Sequence, residues 1–421
     1  MTENTPSPAL EVLKTDCVIV GGGPGGMVLG YILALQGIEV TVLEAHQDFH
    51  RKFRGDTLQP SALEILRDIG LSDDVLALPH KKIREIVTPT DDGEQVLNYD
   101  VLRSDFPYVA VVSQPLFLEC VAKACEVFPH FRLLRGTRAK ELIEQDNIVK
   151  GVRARSADGD IEVHASLVVG ADGRFSMIRK LSGLPVHTLA DVPYDILWFS
   201  LPYLEGDPQE GMINLPVGDK FLVLFQRPSE WQIGCVIPKG SYQQLKEAPP
   251  YAYFEDVGRQ EPVFAERLRA LDDWKDLSLL SVKIERAETW YREGLLLIGD
   301  AAHVMSPVGG VGINLAIQDA AVAGMMLAKG LAKGHVDVRT LHNIQKKRML
   351  DTRLIQMVQV MIQRASLRAE KKTSSPPRWV KWIQNKISQL SIVQWLPVRL
   401  FGIGVRRVKV RGLIDTQRRT S

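Results

Sequence analysis

Three short stretches of this 421-residue chain set glycines beside acidic residues in patterns suited to holding phosphates and hydroxyls. In Gly21-Gly22-Gly23-Pro24-Gly25-Gly26 the spacing is GxGxxG, and Glu44 stands 18 residues beyond Gly26. Gly21 permits a tight turn, Gly23 lets backbone N–H groups approach a pyrophosphate, and Gly26 allows close packing of helix on strand. The helix N-terminus then favours negative charge, and Glu44 can accept hydrogen bonds from ribose hydroxyls. The motif does not by itself choose between NAD and FAD. The second stretch, Leu167 to Ser176 (LVVGADGRFS) with Arg179 close behind, runs an apolar strand into Gly-Ala-Asp-Gly. That places backbone amides at the carboxyl edge of a sheet, where doubly wound folds bind ligands; a plain structural turn is the alternative. The third runs Leu295 to His303 (LLLIGDAAH) and then Pro307 to Asn314 (PVGGVGIN). Here a strand ends at Asp300, whose carboxylate can hold polyol hydroxyls, and a glycine-rich loop opens a helix whose first N–H groups suit an electron-rich ring.

These corners need strands and helices to hold them. Residues 16–20 form a β-branched run into the first glycines, 27–36 carry apolar residues at helical spacing, and 38–43 form a second strand ending at Glu44. This is β-turn-α-β. From Ser61 an amphipathic helix closes at Gly70, and 83–99 alternates as strands about an Asp91-Asp92-Gly93 turn. A helix over 116–128 and strands at 131–134, 141–144, 148–155 and 161–169 deliver the chain to Gly170. Between 185 and 280 the chain is strand-rich, with runs at 196–201, 221–226 and 231–237 punctuated by Pro and Gly; this is the candidate substrate domain. A buried strand at 295–298, an alanine-rich helix over 313–331 and a further helix over 341–366 follow, with no internal repeat.

Composition narrows the function class. The chain is 45% hydrophobic and 24% charged, close to the globular average and unlike disordered or collagenous chains. Its length calls for two structural units or one large unit with an insertion. A formal charge of only +2 gives no reason to invoke nucleic acid. Cys17, Cys120, Cys125 and Cys235 show neither CxxC nor Cys/His ligand spacing, so no metal site is expected and the thiols read as packing residues of a reducing compartment. The first ten residues read as a frayed leader rather than a secretory signal, and no apolar run is long enough to span a bilayer. A cytoplasmic location is expected.

Taken together, in this order near residues 20, 170 and 300, the three motifs resemble those of class A flavoprotein monooxygenases of the para-hydroxybenzoate hydroxylase fold, a group that includes aromatic and ubiquinone-biosynthesis-type hydroxylases. The resemblance covers about residues 14–365. It implies an α/β fold: a Rossmann-like FAD-binding domain with an inserted mixed or antiparallel β-sheet substrate domain and a C-terminal helical tail. On that reading 1–85, 105–184 and 281–365 build the FAD-binding domain, 86–104 and 185–280 the substrate domain, and 366–421 the tail. The resemblance further implies FAD in an extended pose, with Gly21, Gly23, Pro24, Gly25 and Gly26 at the pyrophosphate, Glu44 and Ala45 at the adenosine ribose, and Asp300 near the ribityl chain. Asp172 would serve FAD and NAD(P)H. Arg54 (in RGDTLQPS) and Gln114 (in SQPL) match an arginine and a glutamine that family members set against FAD; a surface arginine and a helix-start residue are the alternatives. Pro307, Gly309 and Gly310 would shape the flavin face, with Gly312, Ile313 and Asn314 beside the isoalloxazine.

In that family NAD(P)H reduces FAD, O2 adds to form a C4a-hydroperoxide, and its distal oxygen passes to an electron-rich ring or double bond. No protein nucleophile is required, in keeping with the lack of a Ser/His/Asp or Cys/His arrangement, and His303 reads as a loop-bracing residue. A general base for a phenolic substrate would lie in the middle domain or near 54–56. The expected substrate is an aromatic, quinone-precursor-like or prenylated small molecule, and the expected assembly a monomer or homodimer. Alternatives are a reductase of isoprenoid double bonds similar to geranylgeranyl reductases, a flavin-dependent halogenase, and a non-enzymatic flavin-binding protein. For the halogenase, Trp231 to Pro238 (WQIGCVIP) lacks the second tryptophan of WxWxIP and reads as an ordinary alternating strand. The tail carries many basic residues, with Trp379, Trp382 and Trp395 among its apolar ones. It reads either as a helix packed on the FAD domain or as a peripheral contact with the inner face of a membrane.

Overall fold

The computed structural model describes residues 11–50, 55–90, 93–208, 211–227, 229–370 and 391–410. Its first strand, Glu11–Val20, begins ahead of the apolar run at 16–20, because its polar first half still pairs with Asp160–Gly170 in parallel register. Val40–Leu43 lies on its other side, followed by Phe131–Leu134, both parallel. Leu295–Leu297 joins the far edge of Asp160–Gly170, also parallel. A parallel sheet places all strand carboxyl ends on one side, so the three glycine corners emerge together.

One face of this sheet is covered by helices Pro24–Ala34, Gly312–Leu331 and Gln114–Cys125. In the first, Met27, Val28, Leu29, Ile32 and Leu33 are all fully buried, each contributing roughly 1.5–3 kcal/mol. The opposite face is covered by the hairpin of Arg138–Gln145 and Ile148–Arg155 and by the short helix Met177–Ser182. Gly25 lies against Ala316, where an added Cβ would come within 3.2 Å, so its missing side chain lets the first helix and the long one approach.

The middle of the chain builds an antiparallel sheet in the order Met212–Val217, Lys220–Gln226, Glu230–Pro238, Tyr194–Pro202, Ser278–Leu280. Alternation sorts its residues. Leu197, Phe199, Leu201, Trp231, Ile233 and Cys235 pack beneath a layer of short helices between residues 242 and 269, a layer absent from the strand-rich expectation for this stretch. Trp198 and Phe225 lie on the other face. A two-stranded ribbon, Glu85–Thr90 with Gly93–Asn98, sits beside the edge strand, with Asn214 Nδ2 donating to the Val87 carbonyl at 3.1 Å.

The long helix Val338–Glu370 and the helix Ser391–Gly402 complete the fold. No helix of the described residues is long and apolar enough to cross a membrane. Most of the basic tail, including Trp379 and Trp382, lies outside the described residues.

Candidate functional site

A cavity of about 650 Å³ opens where the sheets meet, and all three glycine corners line it. At the first corner Gly21 has φ +110°, and a Cβ there would come within 2.4 Å of the Ala171 carbonyl, so the first and second corners abut. A Cβ on Gly26 would stand 2.0 Å from the Gly21 carbonyl, which makes that glycine a packing requirement; it does not line the cavity. Gly23 is different: it lines the cavity, and nothing lies within 4 Å of where its side chain would be. Gly23 also starts the helix, with Pro24 in its first turn and no described side chain capping it. The first helical N–H groups, which have no partner within a helix, are thus left to the cavity side. Glu44 is buried at the cavity edge, its Oε2 accepting from Gly22 N–H at 2.9 Å and its Oε1 from His46 N–H at 3.0 Å; Ala45 lines the wall beside it.

At the second corner Asp172 spends its carboxylate on its own turn. It accepts from the Ser176 hydroxyl at 2.5 Å and from the N–H groups of Met177 and Ile178 at 2.6 and 3.1 Å, bonds that start helix Met177–Ser182. Burial raises its pKa above the ordinary carboxylate value despite these donors. Arg179 staples this corner to the third, donating to the carbonyls of Asp300 and Ala301 at 3.2 and 3.1 Å and to that of Arg174 at 2.9 Å.

At the third corner Asp300 lines the cavity with its side chain part-exposed. His303 lies behind it, fully buried and bonded through Nε2 to Asp319 at 2.7 Å. Asp319 also accepts from Gly299 N–H at 3.0 Å and from Arg348 Nε at 2.7 Å. Burial alone would raise the Asp319 pKa, but His303 and Arg348 outweigh it and hold the carboxyl below its ordinary value. Pro307, Gly310, Gly312 and Ile313 line the cavity, and the long helix begins there with no described side chain capping it. Gly309 instead faces the ring of Phe401, 3.0 Å from where its Cβ would be. Asn314 is buried outside the lining and ties the loop down: its Oδ1 accepts from Gln59 N–H at 2.7 Å, and its Nδ2 donates to the carbonyls of Thr57 and Gly310 at 3.1 and 2.9 Å.

Gln114 lines the cavity at its helix start, with its side chain donating to the Gly55 carbonyl and its N–H donating to Asp56 Oδ1, both at 3.0 Å. Arg54 lies outside the described residues; Gly55, Asp56 and Thr57, which follow it, line the wall.

Several lining residues were not anticipated from the sequence. Trp198, Phe225 and Gln232 face the cavity from the antiparallel sheet, and Met305 from the stretch ahead of Pro307. Arg227 sits behind them, buried, with its guanidinium on Asp56, Glu230 and Gln232. The signal for the sheet residues was strand alternation: Trp231, one step from Gln232, is fully buried in the helix-covered layer and donates to Asp207 at 2.9 Å. The tryptophan of the halogenase comparison therefore faces away from the cavity. Cys17, Cys125 and Cys235 are buried free thiols.

These features suit an elongated dinucleotide such as FAD. Gly23 leaves an open cradle, two helix N-termini without side-chain caps meet one cavity, and a buried carboxylate and a part-exposed one, Glu44 and Asp300, border it.

Comparison with known proteins agrees with this geometry. The profile of the FAD binding domain family matches residues 14–356. The chain is similar to 6-methylpretetramide 4-monooxygenase of Streptomyces rimosus, 33% identical over 370 residues that cover 86% of this chain and 87% of the relative. It is also similar to a 3-(3-hydroxy-phenyl)propionate/3-hydroxycinnamic acid hydroxylase of Paraburkholderia xenovorans, at 26% identity over 76% of this chain and 50% of that protein's length. Among solved structures, p-nitrophenol 4-monooxygenase of Pseudomonas putida superimposes with TM-score 0.75 at 19% identity, over 95% of this chain and all of that one. Anhydrotetracycline hydroxylase of Streptomyces rimosus gives 0.73 at 22% identity, over 94% and 77%. At those identities the structural matches speak to the fold.

Proposed function

Since the chain belongs to the FAD binding domain family and is an FAD-dependent oxidoreductase, we propose that it is an NAD(P)H- and O2-using monooxygenase that hydroxylates a flat aromatic molecule. The observation that carries this is the shared cavity: the three glycine corners and the stacked pair Trp198 and Phe225 line one and the same space. FAD, when bound, supplies the redox chemistry and the activation of dioxygen.

The chain's own residues hold and orient. The open Gly23 turn and the first N–H groups of helix Pro24–Ala34 receive the pyrophosphate, and Glu44 and Ala45 border the adenosine ribose. Asp300, held in place through the Arg179 staple on its carbonyl, meets the ribityl side. The loop from Pro307 to Gly312 takes the ring edge, with its shape fixed by Asn314 and Gln59. The cavity's apolar sheet face excludes water from the reacting ring.

The activities for which these relatives are named, on 6-methylpretetramide and on hydroxyphenylpropionate, support an aromatic substrate. The test is to supply the flavin-loaded protein with polycyclic phenols and follow NAD(P)H oxidation, O2 uptake and incorporation of label from ¹⁸O2. Substrate-stimulated uptake with one labelled oxygen in the product is expected. Protein that purifies without flavin and does not take it up, or that saturates an alkene without consuming O2, would overturn the reading.

A further inference from the structure

Gln232 stands on strand Glu230–Pro238, on the face opposite the helix layer that takes Trp231, Ile233, Cys235 and Ile237. Its cross-strand partner is Phe225, which stacks with Trp198 at a centroid separation of 6.3 Å and an interplanar angle of 23°. Gly234, next along the same face, makes room for that stack: a Cβ there would come within 2.9 Å of the Trp198 indole. The result is a flat aromatic wall with one amide at its edge. Gln232 is 6% exposed and lines the cavity.

A glutamine amide has one acceptor oxygen and an amino group with two donors, whereas a guanidinium has donors only. Arg227 Nη2 donates to Gln232 Oε1, so the amide cannot be turned the other way. Arg227 is itself held by Asp56 and Glu230. The Gln232 amino group therefore points away from Arg227, and it has no partner among the described residues. The amino group reaches the cavity, so a ligand that covers it without offering an acceptor leaves a donor unmet, which is costly, and a ligand with an acceptor there avoids that cost.

We propose that Gln232 is the specificity-determining donor of the substrate pocket, recognising an acceptor oxygen (a ring ketone, a quinone carbonyl or a phenolate) on the edge of a planar aromatic that lies against Trp198 and Phe225. This rests on the aromatic-hydroxylase reading and names its substrate class. Asp56 and Arg227 are positioning residues: Asp56, just ahead of Thr57 in the cavity wall, holds the guanidinium that fixes the amide. A ring whose matching edge carries only C–H bonds leaves the donor unmet, and a site built in this way discriminates against it.

The test uses the full chain and two probes on one ring frame, anthraquinone-2-sulfonate and anthracene-2-sulfonate. Affinities are measured by equilibrium dialysis on FAD-loaded and FAD-stripped protein. Wild type should bind the quinone about tenfold more tightly. Gln232→Leu and the unbranched Gln232→Met should bring the two probes within about twofold, by weakening the quinone and by relieving the anthracene of an unmet donor, and an anthracene affinity no weaker than that of wild type would show that the pocket is intact. Retention of the preference by either variant, or a wild type that shows none or binds neither probe, overturns the proposal. Visible flavin absorbance tests the underlying reading separately. A chain that takes up no FAD yet keeps a Gln232-dependent preference loses the hydroxylase assignment and keeps the donor; a flavin-loaded chain without the preference loses the donor alone.

Discussion

Gly23 and Gly26 sit three residues apart in one turn, and the geometry gives them opposite sensitivities. At Gly23 the backbone is extended, with φ −76° and ψ 179°, and a methyl would meet no atom within 4 Å. Gly23→Ala should leave the apoprotein as stable as wild type or up to about 1 kcal/mol more so, because alanine restricts the unfolded chain. The methyl occupies cavity space at the proposed pyrophosphate position, and FAD affinity should fall at least about tenfold, ~1.4 kcal/mol. At Gly26 a methyl would stand 2.0 Å from the Gly21 carbonyl, where ordinary contact begins at 3.4 Å. That carbonyl cannot yield without moving a turn already pressed on Ala171, so Gly26→Ala should cost at least the ~1–3 kcal/mol of an overpacked core. Urea unfolding of the apoproteins by circular dichroism and FAD titration by flavin fluorescence separate the two effects. A Gly23→Ala protein with wild-type FAD affinity, or a Gly26→Ala apoprotein with wild-type stability, would refute the assignment of cradle and packing roles.

Three further outcomes are expected. Asp319→Asn removes a buried carboxylate shared by His303 and Arg348 and should destabilise by about 3–5 kcal/mol at neutral pH. Because the folded carboxyl titrates below its unfolded value near 3.8, its contribution is present above that value and fades as pH falls through the lower folded pKa; urea midpoints of mutant and wild type should converge in acid. Arg227→Met takes from Asp56 its buried guanidinium partner and should cost a similar ~3–5 kcal/mol, while the double variant with Asp56→Leu should cost less than the sum of the single changes in a urea-melt cycle. Thiol titration with Ellman's reagent should find one of the four cysteines reactive in native protein, the part-exposed Cys120. Burial shields the others and pushes the Cys125 and Cys235 thiols up to about 12; full reactivity should appear only in denaturant.

The β-turn-α-β unit was legible because local rules act together there: β-branched runs, glycines at fixed offsets, Pro24 at a helix start and Glu44 at a strand end. The bounds were less so. Glu11 to Thr15 are largely polar, and only the partner strand at 161–165 reveals them as strand. The short helices between 242 and 269 escaped because each is a turn or two long, broken by prolines, and stabilised by packing on Phe199, Trp231 and Ile233 rather than by its own periodicity. Within the site, backbone-determined positions such as Gly21 and Gly23 could be read directly. The pairing of Asp56 with Arg227 could not, since the two meet across 171 residues and Arg227 lies in no motif. Gln232 was within reach of strand alternation, but alternation does not say which face of a sheet closes a cavity. Asp172 shows the converse: its motif is plain, yet its carboxylate is occupied by its own helix start.

The loop beside the proposed ring site is backed by the far end of the chain. Phe401 fills the space left by Gly309, and Leu400 and Phe401 pack on Met305, Val311 and Leu315. Asp351 fastens the stretch that follows by accepting from the N–H groups of Val405 and Arg406 at 2.7 and 3.2 Å. The loop is thus braced by a helix remote from it in sequence, and trimming past residue 400 would remove part of that bracing along with the tail.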